Sequence, residues 1–381
     1  MKLKRKLLGT VLALSIPFSQ GIACTAISMV TPDDHVASGR TMEWGFNWDW
    51  SVMYVPQGTT HSLTAPSDSN LPQINYSSKY SILGTGLVRN SKDLFLDGQN
   101  SEGLSLSANY LPGFTEYQKV DSKDKSYASI LEITTYILSE AATVDDAKKI
   151  LAKTKVWSDK STMVDGVSPQ LHFLITDKAG KGIIVEYVDG KIKITTMDTK
   201  VKVMTNAPTI DWHLTNLRNY LNLSNHTIAR IKLGNKETEN PKNENPEDIN
   251  ALGQGNGLLG MPGDYSPPSR FIKIAALGYY SDLKGPEDES AVDKVTHVLN
   301  SVDIPKGAVV EKIGDEKMYD HTAYTVVKDQ TNNKLFLRTY NNINSPVMID
   351  LNSLDQSHSK AFSINMDDLK YPNNDITNTL K

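Results

Sequence analysis

The stretch GIACTAISMV, Gly21 to Val30, holds the single cysteine of a chain of 381 residues. Before it come a basic head (Lys2, Lys4, Arg5, Lys6), an apolar run from Leu7 to Phe18, and two small residues, Gly21 and Ala23, three and one positions ahead of Cys24. Those parts in that order make a secretory leader with its cleavage site. The apolar run is shorter than the roughly 20 residues that cross a bilayer. The reading predicts export, to the periplasm or out of the cell, with residues 1–23 removed and one domain, 24–381, starting at Cys24. After the cysteine the text alternates as a strand at once, with no spacer.

An exported chain with one cysteine makes no internal disulfide. The formal charge is −4, and the leader carries four of the basic residues, so the remainder is more acidic still. That balance excludes the basic footprint of a nucleic-acid binder. Three fates compete for Cys24: an inert buried thiol, a lipid attachment point, or a nucleophile. The lipid reading, a lipoprotein anchored through Cys24, wants a large aliphatic residue where Gly21 stands and a tether that the immediate strand denies. The nucleophile reading needs no histidine. A cysteine freed at the N-terminus has an α-amino group with a pKa near 8, which takes the thiol proton directly or through a water.

CTAISMV is followed by TPDD (Thr31 to Asp34) and HVASGRTM (His35 to Met42), a hairpin with its turn. A turn centred between Pro32 and Asp33 sets Cys24 opposite Thr41, with Arg40 and Met42 as neighbours. A guanidinium there favours a thiolate, and Glu43 is placed to hold and orient the amino group. Further strands are predicted at Tyr80–Val88, Gly103–Asn109, Leu171–Thr176, Gly182–Val188, Lys191–Met197, Lys202–Thr205, Ala323–Asp329 and Lys334–Tyr340. Helices are predicted at Tyr127–Glu140, Val144–Lys153 (capped at Thr143), Asp211–Leu221, Ser269–Leu283 and Glu289–Val302. Gly234 to Ile249 is polar and Pro-broken, an exposed loop. Strands in blocks with helices in blocks between them point to α+β layers.

GQGNGLLG (Gly253 to Gly260) contains GxGxxG, but a dinucleotide site needs that run to follow a strand and open a helix. Here it runs into MPGDYSPP, where three prolines forbid a helix. The eight histidines show no metal-ligand spacing, and His213 beside Trp212 reads as structural. No metal or cofactor is called for.

Four ordered stretches carry a resemblance: CTAIS with GRTMEW (Gly39 to Trp44), DGQNSEGLSLSANYLPG (Asp97 to Gly113), VMTNAPTIDWH (Val203 to His213) and LGQGNGLLGMPGDYSPPSRF (Leu252 to Phe271). Together they resemble the choloylglycine hydrolase family of conjugated bile salt hydrolases and penicillin V acylases. The resemblance implies the four-layer αββα sandwich of N-terminal nucleophile hydrolases and hydrolysis of a linear C–N amide in a small acyl amide. It implies Cys24 as nucleophile and base, Arg40 beside the thiolate, Asn206 as the side-chain donor of an oxyanion hole, and Arg270 as a second site arginine. Glu43 stands where the family usually has aspartate. Gapless alignment puts Tyr110, through its backbone N–H, at the second oxyanion position, whereas a slip of one residue puts Asn109 there. Tyr110 leans toward penicillin V; conjugated bile acids, N-acyl homoserine lactones and the amides cleaved by acid-ceramidase-type enzymes remain alternatives. Trp44, Phe46, Trp48 and Trp50 read either as packing or as an apolar wall for the acyl group. The polar stretch 234–249 lies where the family has an assembly arm, which implies a homotetramer.

Overall fold

In the computed structural model, the first hairpin pairs strand Cys24–Val30 with strand Val36–Glu43. The structure describes residues 24–46, 48–89, 92–231, 249–251, 253–282, 290–313 and 316–372. The predicted leader 1–23 and residues 234–248 of the predicted loop lie outside them. Thr31 N–H donates to the His35 carbonyl at 2.9 Å and Asp34 takes φ 60°. This is the three-residue hairpin loop, Pro32–Asp33–Asp34, whose last position must be left-handed. The extra residue shifts the expected register by one, so Cys24 faces Met42 and Thr25 faces Thr41. The shift matters because directly opposed residues share a face of the sheet. Cys24, Met42 and Arg40 therefore lie on one side, whereas pairing Cys24 with Thr41 would have separated cysteine from arginine.

The hairpin supplies the second and third strands of a six-stranded antiparallel sheet, ordered Val201–Met204, Cys24–Val30, Val36–Glu43, Thr322–Asp329, Lys334–Thr339, Val347–Asp350. An eight-stranded sheet stacks on it, ordered Lys191–Thr196, Gly182–Val188, Leu171–Thr176, Ser105–Tyr110, Lys92–Asn100, Ile82–Arg89, Ser51–Val55, Phe362–Asn365. Ser38 and Ser105 hydroxyls meet at 2.7 Å across the inter-sheet space. Helices Pro267–Asp282 and Ala291–Asn300 cover the outer face of the first sheet, where Ile27, Met29, Phe271, Val295 and Leu299 form one core. Helices Ile133–Glu140 and Val144–Lys153 cover the second, and a larger core of Cys24, Met42, Phe95, Leu106, Ile137 and Leu138 runs from there to the inter-sheet space. The result is the expected αββα sandwich.

Period and capping located ten of the fourteen strands of the two sheets and missed Ser51–Val55, Lys92–Asn100, Val347–Asp350 and Phe362–Asn365. Helix Val144–Lys153 has the expected ends, with the Thr143 side chain accepting from Asp146 N–H. Two expectations need correction. Tyr127–Glu140 is not one helix: Tyr127–Ser129 is a strand, and the chain turns where Glu132 accepts from Ser129 N–H before the helix begins at Ile133. The prolines of MPGDYSPP do not forbid a helix either, since Pro267 and Pro268 open one. First-turn N–H groups have no intrahelical acceptor, so proline loses nothing there. The glycine run itself still opens no helix; it forms a short 3-10 turn at Asn256–Leu258.

Gly84 lets two strands of the larger sheet approach closely. A Cβ added there would lie 2.2 Å from the Asp97 carbonyl oxygen and 2.8 Å from Gly98 Cα, both backbone atoms with nowhere to retreat. Gly84→Ala is expected to lower stability by about 1–3 kcal/mol, the usual cost of overpacking. Urea unfolding with an unchanged slope would show it as a lower midpoint, and an unchanged midpoint would contradict it.

Candidate active site

The site is built around the buried Cys24 sulfur. Arg40, two residues along the paired strand from Met42, reaches it with Nη2 at 3.1 Å. The rest of that guanidinium is occupied: Nε donates to Asn109 Oδ1 at 2.8 Å and Nη1 to Asp97 Oδ2 at 2.6 Å. Asp97 is shared with Lys328, whose Nζ donates to Asp97 Oδ1 at 3.1 Å, Ser107 Oγ at 2.7 Å and the Leu106 carbonyl at 3.2 Å. Two buried cations thus bracket one carboxylate, and the uncompensated positive charge faces the sulfur.

Arg270, in the helix opened by the two prolines, holds the main chain rather than the sulfur. Its Nη1 donates to the Cys24 carbonyl at 2.6 Å and to Thr25 Oγ1, and its Nη2 to Asn206 Oδ1 at 2.7 Å. Asn206 Oδ1 also accepts from Cys24 N at 2.6 Å. Two donors on one oxygen fix the amide's orientation, so its Nδ2 points the other way and donates to the Tyr110 carbonyl at 2.8 Å. An amide nitrogen has two hydrogens, which leaves one for another acceptor. Leu111 N–H donates to the Gln170 carbonyl at 2.7 Å. In that register the Tyr110 N–H points away from the neighbouring Leu171–Thr176 strand, toward the side where the ladder with Lys92–Asn100 has ended at Ser107. Asn109, the alternative at this position, turns its side chain inward: besides Arg40 it binds the carbonyls of Cys24, Met204 and Thr205.

Glu43 is fully buried, but the contact expected between its carboxylate and Cys24 N is taken by Asn206. Its Oε1 accepts from Thr322 Oγ1 at 3.0 Å, and its Oε2 is without a hydrogen-bond partner among the described residues. Asp320, also buried, leaves its Oδ1 in the same condition. Burial pushes the Glu43 carboxyl up to about 7, against the pull of Arg270. Burial, then the neighbouring Glu43, pushes Asp320 up to about 8. Burial also raises the Cys24 thiol, and Arg40 and Arg270 only partly oppose it.

Beside the sulfur opens a pocket lined by Arg40, Met42, Trp44, Trp48, Trp50, Leu87, Leu94, Leu96, Ala108, Tyr110, Val164, Val167, Pro169 and Leu171. Trp44, Trp48 and Trp50 form its aromatic side, with ring centres 4.3 and 5.6 Å apart in sequence order. Phe46 is not on that wall; it packs against Trp44 at 5.8 Å. The structure thus gathers Cys24, Arg40, Asn206, Arg270, Tyr110 and Glu43 around one centre. Sequence reasoning missed Asp97, Lys328, Thr322 and Asp320. Asp97 lay in plain view in DGQN, but nothing in the pattern paired it with Arg40, and Lys328 is a buried lysine that periodicity alone does not reveal.

A cysteine at the head of an inner strand of an αββα sandwich defines the N-terminal nucleophile hydrolase fold. The chain belongs to the choloylglycine hydrolase family of linear amide C–N hydrolases, whose pattern matches residues 24–362. It is 30% identical over 346 residues to the bile salt hydrolase/transferase of Clostridium perfringens, covering 90% of this chain and 97% of that one. A mutant of the conjugated bile acid hydrolase from the same organism superposes with a TM-score of 0.75 at 27% identity, over 90% of this chain and 96% of the other. It is also 28% identical to the penicillin V acylase of Pectobacterium atrosepticum, over 54% of this chain and 55% of that one.

Glu43 and Asp320 make stability depend on pH with a definite sign. Both carboxyls ionise near 7 to 8 when folded, against ordinary values of 4.5 and 3.8. Between those limits the folded state holds more protons, so their stabilising share is full below pH 4 and is lost as pH rises through 7 and 8. Asp320→Asn keeps the shape and removes one titration. Its melting temperature is expected to fall less than that of the parent between pH 5 and 8.5, by differential scanning calorimetry. Identical slopes would contradict the assignment.

Proposed function

We propose that the protein is an exported amidase that uses Cys24 as its nucleophile, made competent when residues 1–23 are cut away, and that it cleaves amides with an apolar acyl side. The observation that carries this reading is the Arg40 guanidinium 3.1 Å from Cys24 Sγ at the wall of an aromatic pocket. In this reading the freed α-amine takes the thiol proton, and the thiolate adds to the acyl carbon. The resulting oxyanion accepts from the second Asn206 Nδ2–H and from the Tyr110 N–H. Collapse breaks the C–N bond, and the departing amine takes the proton held on the α-ammonium. Water then adds to the thioester, giving its proton to the α-amine, and the acid leaves as the Cys24 sulfur is reprotonated.

Several features support this sequence of steps. Cys24 N is anchored on Asn206 Oδ1, so the base is held next to the sulfur it serves. Glu43 Oε2, buried and without a partner among the described residues, is an acceptor suited to a further N–H of the α-ammonium. Arg40 lowers the cost of a buried thiolate, and a preorganised donor such as Asn206 is worth about 3 kcal/mol of barrier.

For the acyl group, the side chain of Tyr110 on the pocket wall with three tryptophans favours an aryl-acyl amide such as penicillin V. The bile salt hydrolases among its relatives favour a conjugated bile acid as the second reading. Side-by-side hydrolysis of penicillin V, a glycine-conjugated bile acid and an N-acyl homoserine lactone ranks them by kcat/KM, and penicillin V is expected first. Cys24→Ala is expected to lose about a thousandfold or more in kcat on the best substrate. Intact mass is expected to show a chain that begins at Cys24 with an unmodified amine. A diacylglyceryl addition, or an active Cys24→Ala protein, would overturn the reading.

A further inference from the structure

Behind Asn206, on the side away from Cys24, lies a buried polar cluster with no part in the steps above. His213 Nε2 sits 2.9 Å from the Asn206 backbone carbonyl and 3.4 Å from Thr205 Oγ1. His172 Nε2 sits 3.0 Å from the Thr205 carbonyl, and its Nδ1 lies 3.5 Å from Glu186 Oε1. A carbonyl only accepts, so each histidine has a hydrogen on Nε2 and donates it to the Thr205–Asn206 backbone. Glu186 Oε1 in turn accepts from the N–H of Ile210, which opens the helix Ile210–Leu217 that carries His213.

The other face of the His213 ring stacks on Phe271, with centres 4.7 Å apart and planes 15° from parallel. Phe271 follows Arg270, the residue that fixes Asn206 Oδ1 and the Cys24 carbonyl. One ring therefore touches both segments that aim the Asn206 amide: the TNAP turn through a hydrogen bond, and the PPSRF helix through a stack. Burial pushes the His213 imidazole down to about 4, so it stays a neutral, single-proton donor throughout the neutral range.

We propose that His213 is a positioning residue for the oxyanion donor, holding the Asn206 backbone through its Nε2–H so that the side-chain amide meets the developing charge. This rests on the role given to Asn206 above. A misplacement of about 1 Å in a catalytic group costs roughly a hundredfold in rate, and it acts on the transition state more than on substrate binding.

Three substitutions separate the hydrogen bond from the packing. His213→Phe keeps a ring on Phe271 and removes the donor. His213→Asn supplies an N–H at the δ position, too short to reach the carbonyl, and His213→Gln supplies one at the ε position. Expected are a fall in kcat of about 10- to 100-fold for Phe and Asn with KM within about twofold. The Gln protein is expected to recover kcat to at least about fivefold above the Asn protein. Should the Phe protein not fold, the Asn and Gln pair decides alone. A Phe or Asn protein with parental kcat, or a Gln protein no better than Asn, overturns the inference while Asn206→Ala remains inactive. An active Asn206→Ala protein instead removes the oxyanion role itself, and with it the reason to position that residue.

Discussion

A buried sulfur that carries negative charge in the proposed reaction is the constraint around which the site is arranged. Burial raises the Cys24 thiol, and Arg40 is the largest influence opposing that. Arg40 meets the need because its fork is held on all sides: Asn109 takes Nε, Asp97 takes Nη1, and Nη2 is left for the sulfur. A buried guanidinium with only a thiol for company would be costly to desolvate. Asp97 removes that cost, and Lys328 on its second oxygen keeps the trio net positive toward Cys24. Both oxygens of Asp97 reach across from the larger sheet, so the sandwich must close to hydrogen-bonding distance at this point. Gly84 and Gly98, facing each other beside Asp97, let the strands of that sheet pack tightly enough to deliver it.

Much of this was readable in the residues. Alternation located the Cys24 hairpin and eight of the twelve other strands of the two stacked sheets, and Thr143 with its acidic first turn marked a helix to the residue. Blocks of strands and blocks of helices were enough for the layers. The register was misjudged by one because a left-handed Asp34 lengthens the turn, and a short loop's backbone state is not encoded in hydrophobic period. That single residue decides whether cysteine and arginine share a face. Of the site, the residues named by motif do converge, but their partners did not announce themselves. Lys328 looks like any strand lysine, and Asp320 like any turn acid, until the sheets are stacked. His213 was read as structural, and its burial fits that reading. What pattern cannot show is that the carbonyl it binds belongs to Asn206.

Asn206 connects the two halves of the chemistry proposed for the family's amide hydrolysis. Its oxygen collects Cys24 N and Arg270, and its nitrogen faces Tyr110. An asparagine is suited to this because one planar group presents an acceptor and two donors in fixed directions. Aspartate would lose the donors, and glutamine would lose the geometry. With the amine on its oxygen and the oxyanion at its nitrogen, the same side chain would place the base and the charge it creates on opposite edges of one plane.

The glutamate at position 43, where the resemblance leads one to expect aspartate, acquires a rationale from its surroundings. The longer side chain reaches Thr322 on the adjacent strand, and the same corner brings in Asp320. A shorter acid would leave Thr322 Oγ1 without this acceptor. Two buried carboxyls within mutual influence do not both ionise readily at neutral pH, and they are pushed up to about 7 and about 8. Arg270 faces both and is itself pulled down by burial, with Glu43 and then Cys24 opposing. The corner can therefore take up or release a proton, in the proposed reaction, as the freed α-amine of Cys24 changes state. In the proposed reaction, which passes a proton from sulfur to nitrogen and on to a leaving amine, a carboxyl pair that titrates near neutrality offsets part of the change in charge.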